Sequence, residues 1–146
     1  MALPDANLAA RASLALATAF LIALAATLSA LFIGEVLGKM PCTVCRYQRI
    51  AMFPLVVILD VAVLRDDITV RSSAALLAAV GFDVAIWHSG LFAGLIPQTI
   101  APCTKDGPSC TDATTQTVLG LPLPYLSLVA FAAILVCLSQ LKGNRA

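Results

Sequence analysis

Four of the five cysteines in this 146-residue chain fall into two pairs, Cys42 with Cys45 and Cys103 with Cys110. The first pair lies in Met40-Pro41-Cys42-Thr43-Val44-Cys45-Arg46-Tyr47-Gln48-Arg49. Proline suits the first turn of a helix, where its missing N–H costs nothing. A helix opening at Pro41 puts Cys42, Cys45 and Arg49 at i, i+3, i+7 spacing on one face. A thiolate there sits beside unsatisfied N–H groups, the positive end of the helix dipole and guanidinium groups, all of which favour the reactive anion. Two sulfurs so placed can form and break a disulfide. The bland alternatives are a pair of buried small residues and half of a metal site. Cys103 and Cys110 could complete four thiolates by count. Their wide spacing in a loop, unlike a two-residue knuckle, favours redox chemistry and no metal.

The second pair lies in Ala101-Pro102-Cys103-Thr104-Lys105-Asp106-Gly107-Pro108-Ser109-Cys110. Asp106-Gly107-Pro108 is a turn signal that lets the two sulfurs meet. Alone, this loop reads equally well as a structural staple. Two pairs, one of them at a helix start, point instead to exchange, and a strained, exposed disulfide is the labile kind.

The elements that position these residues follow from composition. The chain is 60% hydrophobic and 12% charged, with a mean hydropathy of +0.96. A soluble domain of this length cannot bury so much apolar side chain, so the lipid bilayer must take the excess. Nine Lys+Arg against eight Asp+Glu leaves no basic surplus for nucleic acid. Charges and turn residues mark four apolar spans, at about 12–33, 41–64, 72–96 and 121–141. Lipid cannot satisfy an open backbone, so the spans are helices. The expectation is an all-α membrane protein: one four-helix transmembrane bundle over residues 1–146, with cysteine-bearing extracytoplasmic loops at about 34–41 and 97–120. The first span is too long for a signal-peptide core and no small-residue cleavage site follows it, so it reads as an uncleaved anchor. With both termini inside, Arg11, Arg65, Arg71, Lys142 and Arg145 lie within and Lys39, Arg46, Arg49 and Lys105 outside, a weak bias. The cysteines decide better, because disulfides persist on the oxidising side. Both termini are expected in the cytoplasm of a cell (inner) membrane protein, with the paired cysteines outside.

The motif Pro41-Cys42-Thr43-Val44-Cys45-Arg46-Tyr47-Gln48-Arg49, followed by Ile50-Ala51-Met52-Phe53, resembles the DsbB family of membrane disulfide oxidoreductases. So does the order of features: a span, Cys-x-x-Cys at the second span, His88 near the outer end of the third, then a two-cysteine loop. The resemblance covers nearly the whole chain. The short second loop and Gly120-Leu121-Pro122-Leu123-Pro124-Tyr125-Leu126 look like the compact, BdbC-like branch. The resemblance implies a thiol:quinone oxidoreductase. A DsbA-like thioredoxin-fold partner would attack Cys103, and Cys110 would exchange with the Cys42–Cys45 pair. Cys45 would face a membrane quinone, ubiquinone or menaquinone, and Arg49 matches a residue implicated in quinone use. A cation there stabilises a thiolate and a developing oxyanion alike.

Other polar residues in the spans are weighed the same way. His88 reads as a quinone hydrogen-bond or proton donor, or as an interfacial anchor beside Trp87. Asp83, nearer mid-membrane, is expected to face the bundle interior. Asp60 can snorkel, Pro54 should kink the second helix, and Gly90-xxx-Gly94 suits close helix packing. Cys137 reads as a small packing residue. Two rival functions remain, and a third rival is a small scaffold with structural bridges only. Vitamin K epoxide reductase-type enzymes also pair a loop dithiol with a Cys-x-x-Cys, but there the loop pair comes first. A cysteine-relay heavy-metal transporter would need reduced thiols and a soft ion.

Overall fold

The computed structural model describes residues 3–40, 43–95 and 117–141. Four helices dominate them: α1 (Leu3–Leu31), α2 (Thr43–Arg65), α3 (Arg71–Phe92) and α4 (Leu123–Ser139). A π-helical turn, Phe32–Val36, prolongs α1. A short 3₁₀ turn, Ile68–Val70, links α2 to α3. Among the described residues, three segments are long and apolar enough to cross a membrane: Ala6–Val36, Thr43–Arg65 and Arg71–Phe92. The shorter α4 has 17 residues, about 25 Å at 1.5 Å per residue.

The packing faces follow a near-heptad spacing. Ala12, Leu16, Ala19 and Ala23 are buried on α1, Leu55, Leu59 and Ala62 on α2, and Phe131, Ile134 and Leu138 on α4. On α3 the buried seam is Ala74, Ala78, Gly81, Ala85 and His88. This spacing favours slightly inclined, antiparallel neighbours with small residues at the crossings. Gly81 is the tightest of these: a Cβ built there would overlap the Phe131 ring. The outer faces carry Leu14, Leu21, Leu28, Val57, Leu76, Val129 and Val136, all exposed. A helix that is apolar all round has lipid, not water, against its outer face.

Asp83 corrects one expectation: it is exposed on the outer face of α3, not turned into the bundle. The reason is register. Gly81, Ala85 and His88 occupy the inner seam, and a residue two positions from Gly81 is rotated about 200° away from it. Gly94 corrects another. It has φ +79° and lies beyond the last residue of α3, where it ends the helix. Its N–H bonds the Leu91 carbonyl at 3.2 Å, and the Leu95 N–H bonds the Gly90 carbonyl at 3.0 Å. These two bonds form a Schellman cap, which favours glycine at that position. Helix α2 runs unbroken through Pro54.

Before α4, Thr117–Val118 and Leu121–Pro122 form a minimal antiparallel hairpin. Leu119 and Gly120 turn it with positive φ at both positions, the geometry that matches strand twist. The α3–α4 pair is fixed at both ends. Ser89 Oγ donates to the Pro124 carbonyl at 3.3 Å, and the Phe92 and Tyr125 rings meet edge to face at 5.8 Å. At the far end, Arg71 Nε donates to the Leu138 carbonyl at 3.2 Å, a cation on a helix C-terminus. In the α2–α3 connection, Thr69 donates its hydroxyl and its N–H to Asp67 Oδ1. Those bonds hold the Asp67 carboxyl below its usual range.

Candidate functional site

The α2 face that carries Cys45 continues through Gln48, Arg49 and Met52, at i, i+3, i+4 and i+7. All four line one cavity of about 460 Å³. Helix α1 supplies Ile22, Ala26, Thr27 and Ala30 to its walls, and α4 supplies Leu126, Ser127 and Phe131. The lining is mostly apolar with a few polar atoms, and the volume is that of a small-molecule site. Lys39 and Met40 also border it. Lys39 Nζ donates to the Thr117 carbonyl at 2.6 Å, which ties the segment after α1 to the hairpin before α4.

Arg49 is half-buried and turned onto protein. One guanidinium nitrogen donates to the Ala30 carbonyl at 2.8 Å. That carbonyl lies just before the π turn, and such turns recur at functional sites. Gly34, inside the turn, leaves room for the guanidinium: a Cβ there would stand 3.1 Å from the Arg49 terminal nitrogen. The charge is thus met by a backbone acceptor, which offsets part of its desolvation.

His88 approaches Cys45 from α3. Its Nε2 lies 4.0 Å from the Cys45 sulfur. The ring is fully buried, so His88 is not an interfacial anchor, whereas neighbouring Trp87 is exposed. His88 is not among the residues that line the cavity. It approaches the Cys45 sulfur and leaves the cavity wall to Arg49 and Gln48. A thiol beside an imidazole can exchange a proton with it, which is how a nucleophilic sulfur is activated.

Cys45, Arg49 and His88 are therefore brought together. Cys42, Cys103 and Cys110, with Pro41, the 97–116 loop, Lys142 and Arg145, lie outside the described residues. Cys137 is half-buried in α4 against the core and does not line the cavity. Gln48 and Thr27 escaped the sequence reading. For Gln48 a signal existed, because it stands three residues after Cys45 on the same face. Thr27 lies in an uncharged run and gave none.

A family profile described as "Disulfide bond formation protein DsbB" matches residues 12–141. Several relatives are similar over most of their length. A probable disulfide formation protein of Metapseudomonas resinovorans is 52% identical, over 82% of this chain and 83% of its own. One from Deinococcus radiodurans is 40% identical, over 83% and 84%. Disulfide bond formation protein C of Bacillus subtilis is 32% identical, over 86% and 91%. No solved structure matches the chain. With its helical membrane bundle and a Cys45-lined cavity between the helices, the chain belongs to the DsbB family of disulfide bond formation proteins.

Proposed function

We propose that the protein is a thiol:quinone oxidoreductase that reoxidises an extracytoplasmic, DsbA-like thioredoxin-fold protein. The observation that carries this reading is the placement of Cys45 on an apolar cavity whose wall also holds the Arg49 guanidinium. The residues suit a membrane quinone: an apolar enclosure takes the ring and tail, and cationic and amide donors take the carbonyl oxygens. Bound there, a quinone supplies a two-electron, two-proton acceptor.

The chain's own residues do the rest. A thiolate of the reduced partner attacks Cys103, and a mixed disulfide forms as the Cys103–Cys110 bond breaks. The partner's second thiol resolves it, so the partner leaves oxidised and the loop pair is a dithiol. The loop dithiol then reduces the Cys42–Cys45 disulfide by the same exchange, and the loop disulfide is restored. Arg49 stabilises negative charge on the cavity side of Cys45. His88 holds or takes the Cys45 thiol proton at Nε2. The cysteine pairs work on the periplasmic or outer side, and the termini lie in the cytoplasm.

The test uses purified protein in lipid nanodiscs, mixed with a reduced DsbA-type protein and either a ubiquinone or a menaquinone analogue. The expected result is one quinone reduced per partner disulfide formed. Partner oxidation with no quinone consumed would overturn the reading, as would one soft metal ion bound per chain in place of quinone.

A further inference from the structure

We infer that Thr27 and Gln48 form the hydrogen-bonding subsite for the quinone ring, positioning it against Cys45. This rests on the quinone reading above and adds to it two residues from different helices.

The argument starts from two buried polar atoms. Thr27 Oγ1 and Gln48 Nε2 have no hydrogen-bond partner among the described residues. Gln48 is only 8% exposed. In a membrane helix a hydroxyl normally turns back to a carbonyl three or four residues earlier. Thr18 does so, donating to the Leu14 carbonyl at 2.8 Å. Ser127 and Ser139 donate in the same way to the Pro124 and Val136 carbonyls. Thr27 departs from this habit. A buried donor left unmet is costly, so each such group in a folded protein calls for an explanation.

Both orphans border the same cavity, from two different helices: Thr27 on α1 and Gln48 on α2. Cys45 lines that cavity too. A ligand that satisfies them must bring hydrogen-bond acceptors on an otherwise apolar body. A quinone has two carbonyl acceptors on a flat ring and fits that description. Gln48 donates its amide N–H, and Thr27 its hydroxyl, to the ring oxygens. Arg49 has already committed one donor to Ala30, so Gln48 and Thr27 add contacts that the cation alone does not make.

The experiment measures binding rather than turnover. Decylubiquinone and menaquinone-4 are titrated into nanodisc-embedded protein, and bound quinone is counted after separation. In parallel, infrared difference spectra are recorded with carbonyl-¹³C-labelled quinone. Gln48→Leu and Thr27→Val should each weaken binding of the preferred quinone about tenfold, the size of one lost hydrogen bond. A labelled carbonyl band should shift upward in each. Thr27→Ser, which keeps the hydroxyl, should retain parental affinity and bands. The quinone-free variants should be at least as heat-stable as the parent, because each loses a buried orphan. Parental affinity and bands in both variants would overturn the inference while leaving the quinone reading intact. Weakened binding with unmoved bands would also overturn it, since that marks a packing effect. A parent that binds neither quinone would bring down the quinone reading itself, and this subsite with it.

Discussion

At the scale of the residue, the division of labour around Cys45 makes distinct predictions for its neighbours. Arg49 borders the cavity and is held by the Ala30 carbonyl, so it should act on the quinone step. Arg49→Lys keeps the charge but loses the planar fork that a carbonyl and a ring oxygen can share. It should keep part of the turnover, with a raised Michaelis constant for quinone. Arg49→Ala should raise that constant further, by about tenfold or more, and leave the constant for the reduced partner unchanged. Steady-state titration of each substrate separates the two. An unchanged quinone constant in Arg49→Ala would mean that the side chain serves the bundle alone. Cys45→Ser should abolish quinone reduction. Cys137→Ser should not, because Cys137 packs against the core away from the cavity. The Cys45–Arg49 relation was legible in sequence, since i, i+4 spacing puts both on one helix face. The 4.0 Å approach of His88 was legible only as a matching depth on another helix. Which atoms of Gln48 and Thr27 go unmet depends on three-dimensional neighbours, and no spacing rule reports that.

At the scale of the element, the cavity depends on how α3 meets α4. Gly81 allows the Phe131 ring to lie directly on the α3 backbone, and Phe131 is both fully buried and part of the cavity wall. Gly81→Ala should therefore destabilise the bundle by about 1–3 kcal/mol through overpacking. It should also drive the ring toward the cavity and weaken quinone binding. Phe131→Leu in the same chain should recover part of both losses. A double-mutant cycle on thermal unfolding in detergent reads the coupling, and strictly additive effects would contradict the contact. The four helices could be read from the sequence because apolar runs without charges leave lipid no other partner. Their ends were harder to read. Gly90 and Gly94 share the spacing of a packing motif, yet Gly94 caps α3, and the sequence pattern does not separate those uses. Asp83 was expected inside on cost alone, but the seam of Gly81, Ala85 and His88 fixes its register outward. The π turn and the hairpin before α4 arise from local hydrogen bonds that hydropathy does not encode.

At the scale of the whole molecule, the bundle has two chemically different ends. One gathers Cys45, His88, Arg49 and the Lys39–Thr117 tie. The other holds the Asp67–Thr69 turn and the Arg71–Leu138 contact. Thiol exchange needs an oxidising compartment, so the first end should face outward and the second the cytoplasm. The cation count adds little, because five inner cations against four outer ones is a margin of one. Among the described residues, backbone carbonyls engage Lys39 and Arg49 at the first end and Arg71 at the second. Sidedness must therefore follow the cysteines. Two exposed positions test this without disturbing the packing: Leu37, just past the π turn, and Ser72, in the first turn of α3. In a background with all five native cysteines replaced, Leu37→Cys in intact cells should react with a membrane-impermeant maleimide. Ser72→Cys should react only after the membrane is opened. The reverse pattern would place the cavity mouth toward the reducing cytoplasm. A Cys42–Cys45 disulfide there would be drained by cytosolic thiols before it could serve a partner. The labelling pattern thus decides between an oxidase that works outward and a bundle whose cysteines rest reduced.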